Sequence, residues 1–249
     1  MKKEVDGEKL QKILARAGYG SRRELEGWIA AGRVRVNGNR ATIGLRVSAA
    51  DVIQVDGKRL RPRALGPQRV RVLRYHKPVG EICSRRRDSD RVTVFDNLPT
   101  IKGGRWIAVG RLDLNSSGLL LFTNDGGLAH RLMHPSSALL REYAVRVRGK
   151  VTAASIRALT HGVQLEDGPG KFEEIVDKGG EGTNHWYHVT IAEGRNREVR
   201  RLWDSQDVQV SRLTRVRYGP VVMPRNLPRG RWDELTETQI ASLMSAAGQ

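Results

Sequence analysis

Several familiar signatures are missing from this chain. No run of apolar residues approaches the ~20 needed to cross a bilayer as a helix. The opening stretch, Met1 to Asp6, lacks the apolar centre of a secretory leader. The single cysteine, Cys83, has no internal disulfide partner and belongs to no CxxC pair. The six histidines show no HExxH or similar ligand spacing. His185 and His188 would meet only on a helix, and their segment reads as a strand. Neither a structural metal nor a protein-bound redox centre is expected, and the compartment reads as cytoplasmic. Aromatic residues make up 5% of the chain, too few for broad base-stacking platforms. Acidic residues are also short, 27 against 44 Lys and Arg, for a formal charge of +17.

That excess is the first positive signal. Many weak phosphate contacts together release counterions, so a strongly basic protein suits a polyanionic partner. With no spanning segment, nucleic acid is favoured over a membrane surface. At 249 residues with 39% hydrophobic content, the chain can bury a substantial core in one large domain or two smaller ones.

The first third has clear local grammar. Leu10, Ile13, Leu14 and Ala17 follow helical spacing, and Gly18 is placed to end that helix. Ser21 with Glu24 forms a capping box that starts a second helix, whose inner face is Leu25, Trp28 and Ile29 and whose end is Gly32. Val34 and Val36 alternate with arginines before the hairpin turn Asn37-Gly38, and a second strand runs from Asp51 to Val55. Lys9, Lys12, Arg16, Arg22, Arg23, Arg33 and Arg35 would line the outer side, with Glu24 and Glu26 the nearest acids. The reading is an RNA-binding face rather than a merely solvated one. The order of elements, and Ala17-Gly18-Tyr19-Gly20-Ser21-Arg22-Arg23 in particular, resemble the S4 RNA-binding domain.

Arg61 to Pro67, with two prolines and a glycine, reads as a linker. The expected organisation is an S4-like domain over 7–62, a linker over 63–69 and a second domain over 70–249. Strand patterns recur in that domain at 70–75, 106–109, 119–122, 143–147, 172–176, 186–191 and 208–216. Helical patterns fall at 128–133, 152–160, 196–203 and 236–244. The fold class is therefore α+β: two helices and a small sheet, followed by a mainly antiparallel sheet with flanking helices.

Two segments of the second domain carry candidate chemistry. In Gly110-Arg111-Leu112-Asp113-Leu114-Asn115-Ser116-Ser117-Gly118 a polar loop lies between two apolar strands, where a side chain is held firmly yet within reach of substrate. Taken alone, Asp113 there is as readily a turn residue as a catalyst. In Glu193-Gly194-Arg195-Asn196-Arg197-Glu198-Val199-Arg200-Arg201-Leu202-Trp203, Asn196 can cap a short helix. Val199, Leu202 and Trp203 would face its core, with the arginines projecting elsewhere.

Together with His76-Lys77-Pro78-Val79-Gly80, Arg141-Glu142-Tyr143-Ala144-Val145 and Arg217-Tyr218-Gly219-Pro220, these segments resemble the pseudouridine synthases. Within that family they are most similar to the branch that joins an S4 domain to the catalytic domain and acts on ribosomal RNA of the large subunit. Ser116 stands where a threonine is usual, and the hydroxyl is kept. The resemblance implies isomerisation of uridine to pseudouridine without cofactor or metal. It implies that Asp113 is the catalytic carboxylate acting at the ribose and that Arg200 is its cationic partner. It implies that Arg111 fills the space around the extruded nucleotide and that Tyr143 packs on the uracil. The residues of Tyr143's own strand would otherwise make it a core aromatic. The S4-like contacts would be Lys9, Lys12, Arg16, Ser21, Arg22 and Arg23.

The chemistry requires the carboxylate in its ionised form, because a protonated carboxyl is a poor nucleophile and a poor base. Burial alone opposes that, so a fixed cation is needed nearby. The implied partner is ribosomal RNA or an assembling ribosomal particle, met by a monomer and not by a membrane. Two alternatives stand beside this reading. One is a non-catalytic S4-type RNA-binding or ribosome-assembly protein. The other is a glycosidic-bond hydrolase, which would normally want a second cooperating carboxyl group.

Overall fold

The computed structural model describes residues 7–60, 69–85, 90–181 and 184–248. The stretch expected to be a linker lies, apart from Arg69, outside them. The chain divides into two compact units. The first comprises residues 1–70 together with 99–107 and 124–126, and the second takes in the rest.

The first unit starts with β1 (Glu8–Lys9), α1 (Leu10–Arg16) and α2 (Arg22–Ala30). Five short strands follow: β2 (Val34–Val36), β3 (Asn39–Arg40), β4 (Arg46–Val47), β5 (Ile53–Val55) and β6 (Lys58–Arg59). The Ser21 hydroxyl accepts from Glu24 N, and the Glu24 carboxylate accepts from Ser21 N, so both halves of the capping box are made. Asn37 and Gly38 both take positive φ, 51° and 84°, as a two-residue turn between β2 and β3 requires. Leu10, Leu14, Leu25, Ile29, Val34 and Ile53 form the core. The sheet order is β3-β2-β5-β6, all antiparallel, and β1 pairs separately with β4.

The second unit is built on β7 (Val72–Lys77), β8 (Ile107–Val109), β9 (Ser117–Thr123), α3 (Gly126–Met133), β10 (Arg141–Arg148) and α4 (Ala153–His161). It continues with β11 (Val163–Leu165), β12 (Gly168–Gly170), β13 (Glu174–Glu181), β14 (Asn184–Ile191) and α5 (Glu198–Asp204). It ends with β15 (Gln209–Tyr218), β16 (Val221–Val222), β17 (Trp232–Glu234) and α6 (Glu237–Ala246). One sheet runs β13-β14-β10-β15-β9-β7-β17, with β16 on β15 and β8 on β9. The β15·β9 pair is parallel, whereas β13·β14, β14·β10, β10·β15, β9·β7 and β7·β17 are antiparallel.

This is the α+β architecture expected. All seven residues of β9 are buried, as befits a strand covered on both faces. Along β10, Arg141, Tyr143, Val145 and Val147 turn inward in strict alternation. Thr236 and Gln239 complete a second capping box at α6. In the second unit four short strands, β11, β12, β16 and β17, lie outside the strand patterns read from the sequence, as do β1, β3, β4 and β6 in the first. Among the described residues no helix is long and apolar enough to cross a membrane.

Candidate active site

Between β8 and β9 the chain turns through Gly110 (φ 77°) and runs to Ser116. Arg111, Leu114 and Asn115 are exposed, Leu112 and Ser116 are buried, and Asp113 is half-buried. The loop is held by its backbone from the end of β7 and the segment after it. Lys77, fully buried, donates from Nζ to the carbonyls of Pro78 (3.0 Å), Asp113 (3.0 Å) and Ser116 (2.8 Å). The amide of Gly80 donates to the Leu114 carbonyl (2.8 Å), and that of Ser116 to the Asp113 carbonyl (3.1 Å). Cys83 Sγ brackets Leu112, donating to its carbonyl (3.4 Å) and accepting from its amide (3.5 Å).

Burial pulls the Lys77 pKa below the ordinary lysine value, against the upward pull of Cys83, Glu81 and Asp113. Burial likewise pushes the Cys83 thiol up, so it serves here as a neutral thiol. Three carbonyls around one ammonium satisfy all its donors, which is how a fully buried lysine is tolerated. No role for Lys77 was expected beyond membership of a motif. Its acceptors at Asp113 and Ser116 lie 36 and 39 residues away, and nothing local in the sequence signals them.

The loop leaves through Gly118, at φ 105° in the parallel seam between β9 and β15. A Cβ there would lie 2.2 Å from the Arg215 carbonyl oxygen and 2.6 Å from its nitrogen. Glycine is thus required both by the backbone angle and by the close approach of β15. Beside it Ser117 Oγ and Thr214 Oγ1 share a hydrogen bond (2.9 Å) that ties the strands where the loop ends.

The distant arginine-rich segment meets the loop at Arg200. Val199, Leu202 and Trp203 are buried as expected, but so is Arg200, which does not project with the other arginines. Its Nη1 donates to the Val210 carbonyl (3.0 Å) and its Nη2 to the Asn115 carbonyl (3.2 Å). The two-oxygen pairing with the Asp113 carboxylate that a cationic partner suggests is therefore not made. The guanidinium bridges the start of β15 to the loop backbone instead. Burial and then the charge of Arg197 lower the Arg200 pKa, while Asp113 and Asp204 oppose them. Arg200 therefore reaches the Asp113 loop through the Asn115 carbonyl. The cap of α5 also differs from expectation: it is Arg197, in the left-handed conformation and without a side-chain cap bond, rather than Asn196. Glu198 accepts from the Arg195 amide (3.1 Å) and guanidinium, which supplies the terminus with a partner that Asn196 does not.

Lys77, Arg141, Arg200 and Arg215 are all buried. Arg141 donates to the carbonyls of Ala192 and Glu193 and to Tyr218 Oη, and Arg215 Nε donates to the Leu119 carbonyl (2.7 Å). Among the described residues none of these four cations is paired with a carboxylate. Tyr143, 8% exposed, sits at an inward position of β10. Glu142 beside it accepts from Arg217 Nε (2.8 Å) and shares a hydrogen bond with His188 (2.7 Å).

In the first unit Lys9, Arg22 and Arg23 are exposed. Lys12 and Arg16 both pair with Glu8 at 2.6 Å, and Arg33 pairs with Asp56 at 2.6 Å. Acids other than Glu24 and Glu26 therefore interrupt the expected basic face, because a short strand and a turn bring Glu8 and Asp56 against it. Ser21 spends its hydroxyl on the Glu24 amide. Among the described residues no group of three or more His, Cys, Asp or Glu could hold a metal ion.

Residues 71–205 match the RNA pseudouridylate synthase family and residues 8–53 match the S4 domain. The first match takes in more than half of the chain, so the chain belongs to the RNA pseudouridylate synthases, a family of isomerases, with an S4 domain in its first unit. Among its relatives is the Ribosomal large subunit pseudouridine synthase B of Pseudomonas aeruginosa, 57% identical over 243 residues. The match covers 97% of this chain and 63% of that protein, so the chain spans less than two thirds of the relative's length. The protein of the same name from Escherichia coli K12 is 59% identical over 234 residues, covering 93% of this chain and 80% of the relative. A solved structure described as a pseudouridylate synthase superposes with a TM-score of 0.65 at 26% identity, covering 94% of this chain and 99% of that one.

Proposed function

We propose that this protein isomerises a uridine of large-subunit ribosomal RNA to pseudouridine, with Asp113 as the catalytic carboxylate. One observation carries the choice of residue: the backbone of the Asp113 loop is clasped by Lys77, while the carboxylate itself is half-buried and hydrogen-bonded to nothing among the described residues. A carboxylate whose position is fixed by its main chain keeps both oxygens for substrate. The names of the relatives at 57–59% identity support the large ribosomal subunit as the source of the RNA.

In this reading the N1–C1′ bond of uridine breaks, the uracil turns, and a bond forms from C5 to C1′. The proton lost from C5 balances the one gained at N1, so no electrons leave. Asp113 acts at the ribose as its anion, with the Arg200 guanidinium bonded to the Asn115 carbonyl of the same loop. Arg111, exposed two residues earlier, takes the phosphates around the extruded nucleotide, and Tyr143 packs on the uracil. The S4 unit tethers the enzyme through Lys9, Arg22 and Arg23, which raises the local substrate concentration. The protein works as a cytoplasmic monomer.

Asp113→Asn is expected to lower pseudouridine formation by about 10³-fold or more, with RNA affinity nearly intact. The assay is pseudouridine mapping on unmodified large-subunit ribosomal RNA transcripts. Turnover retained by the variant would remove Asp113 from the mechanism. RNA binding with no turnover even by the unaltered protein would favour a non-catalytic binder.

A further inference from the structure

The segment from Glu193 to Trp203 holds four arginines, and three are already committed. Arg195 donates to Asp167, to the carbonyls of Gly168 and Pro169 and to Glu198, and pairs with Glu193 at 2.9 Å. Arg201 holds both oxygens of Asp167 at 2.7 and 2.8 Å. Arg200 is buried against two carbonyls. Arg197 is exposed, and among the described residues its side chain makes no hydrogen bond or ion pair.

Its backbone is also unusual. Arg197 sits at φ 49°, ψ 27°, the left-handed region that disfavours residues other than glycine, asparagine and aspartate. Arginine has no short polar side chain with which to offset that cost locally. Such positions persist where the surrounding structure over-determines them, and they gather at functional sites. The place fits this: Arg200, three residues on, reaches the Asn115 carbonyl two residues past Asp113. Arg197 therefore stands at the start of the element that borders the Asp113 loop.

We propose that Arg197 is a phosphate-binding residue, whose guanidinium takes a backbone phosphate of the RNA strand that carries the target uridine. The proposal rests on the pseudouridine synthase reading for the identity of that strand. Extruding a nucleotide swings its flanking phosphates out of the helix path. A free, forked cation at the start of the element that meets the Asp113 loop would hold one of them bidentately. The ion-paired or buried arginines of the segment are not available for this.

The test uses the full chain and an unmodified large-subunit ribosomal RNA transcript. Arg197→Ala should raise KM about tenfold, as loss of a charged hydrogen bond does, and leave kcat within about twofold, the pattern of binding lost equally in ground and transition states. The slope of log affinity against log salt should fall by about 0.7, the share of one phosphate on a single strand. Arg197→Lys should keep the slope and recover part of the affinity. Arg197→Gly should match alanine in KM and slope while raising Tm, because glycine accepts the left-handed backbone without cost. A merely structural Arg197 would move Tm and leave the slope unchanged, and that result overturns the proposal. Comparing the salt slopes of Asp113→Asn with and without Arg197→Ala decides the phosphate contact without turnover. It therefore stands or falls separately from the isomerase reading.

Discussion

Both units carry surface cations, but the second, beside exposed ones such as Arg111 and Arg197, also buries several. In the first, cations lie at the surface, either exposed like Lys9, Arg22 and Arg23 or tied to exposed or half-buried acids like Lys12, Arg16 and Arg33. In the second, Lys77, Arg141, Arg200 and Arg215 are buried and hydrogen-bond to main-chain carbonyls. A surface cation is screened by solvent and suits long-range attraction of RNA. A buried cation on carbonyls attracts little from outside, but it fixes loops to one another, as Lys77 and Arg200 do for the Asp113 loop. High net charge alone is therefore a poor guide to where a protein binds.

Substitutions can break this contrast. The largest effect is expected at Lys77→Met, which keeps the bulk and takes a donor from three carbonyls, one of which, that of Asp113, still accepts from the Ser116 amide. Because each orphaned buried acceptor costs ~1–3 kcal/mol and the buried charge is relieved, a net loss of about 3 kcal/mol is expected. That corresponds to about 6–12 °C in the melting temperature of a domain this size, read by calorimetry. Unchanged stability would mean that the buried ammonium does not hold the loop. The double variant Arg22→Ala, Arg23→Ala should do the reverse. Its stability should stay within about 0.5 kcal/mol of the parent, while the salt slope of RNA binding falls by about 1.4. Filter binding across a salt series reads this, and an unchanged slope would take the phosphate contacts away from α2.

The smallest effect concerns Glu142. Burial pushes its pKa up, but hydrogen bonds from Arg217 and His188 outweigh that, and the net direction is down from 4.5. A carboxylate with a depressed folded pKa adds stability above its unfolded value, and that stability is lost as pH falls through the folded one. Glu142→Gln should therefore cost a few tenths to about 1 kcal/mol near neutrality, since the pair is partly solvated. The difference from the parent should start to shrink as pH drops below about 4.5. A gap that widens in acid would contradict the assignment.

Local devices were legible in the sequence. The boxes at Ser21/Glu24 and Thr236/Gln239 and the turn at Asn37-Gly38 each depend on residues within three positions. Alternation along β10 and the apolar run of β9 likewise announced their strands. What escaped depends on distant partners. Strand β17 is three residues long and exists because Asp233 and Glu234 meet Arg74 and Leu73 in β7. The parallel seam at Gly118 needs β15, almost a hundred residues on. The role proposed for Asp113 comes from resemblance, whereas the lysine that holds its loop and the acceptors of Arg200 became visible only in three dimensions. Asn196 was expected as a cap because its chemistry suits one, yet Glu198 reaching the Arg195 amide took that place.

The Lys77 clasp has a consequence for how such a protein can diverge. It grips carbonyl oxygens, which every amino acid supplies, and the side chains of Leu114 and Asn115 point outward unrestrained by it. Those two positions can drift under selection for a different RNA site while the Asp113 carboxylate keeps its place. The loop's shape is inherited separately from its lettering.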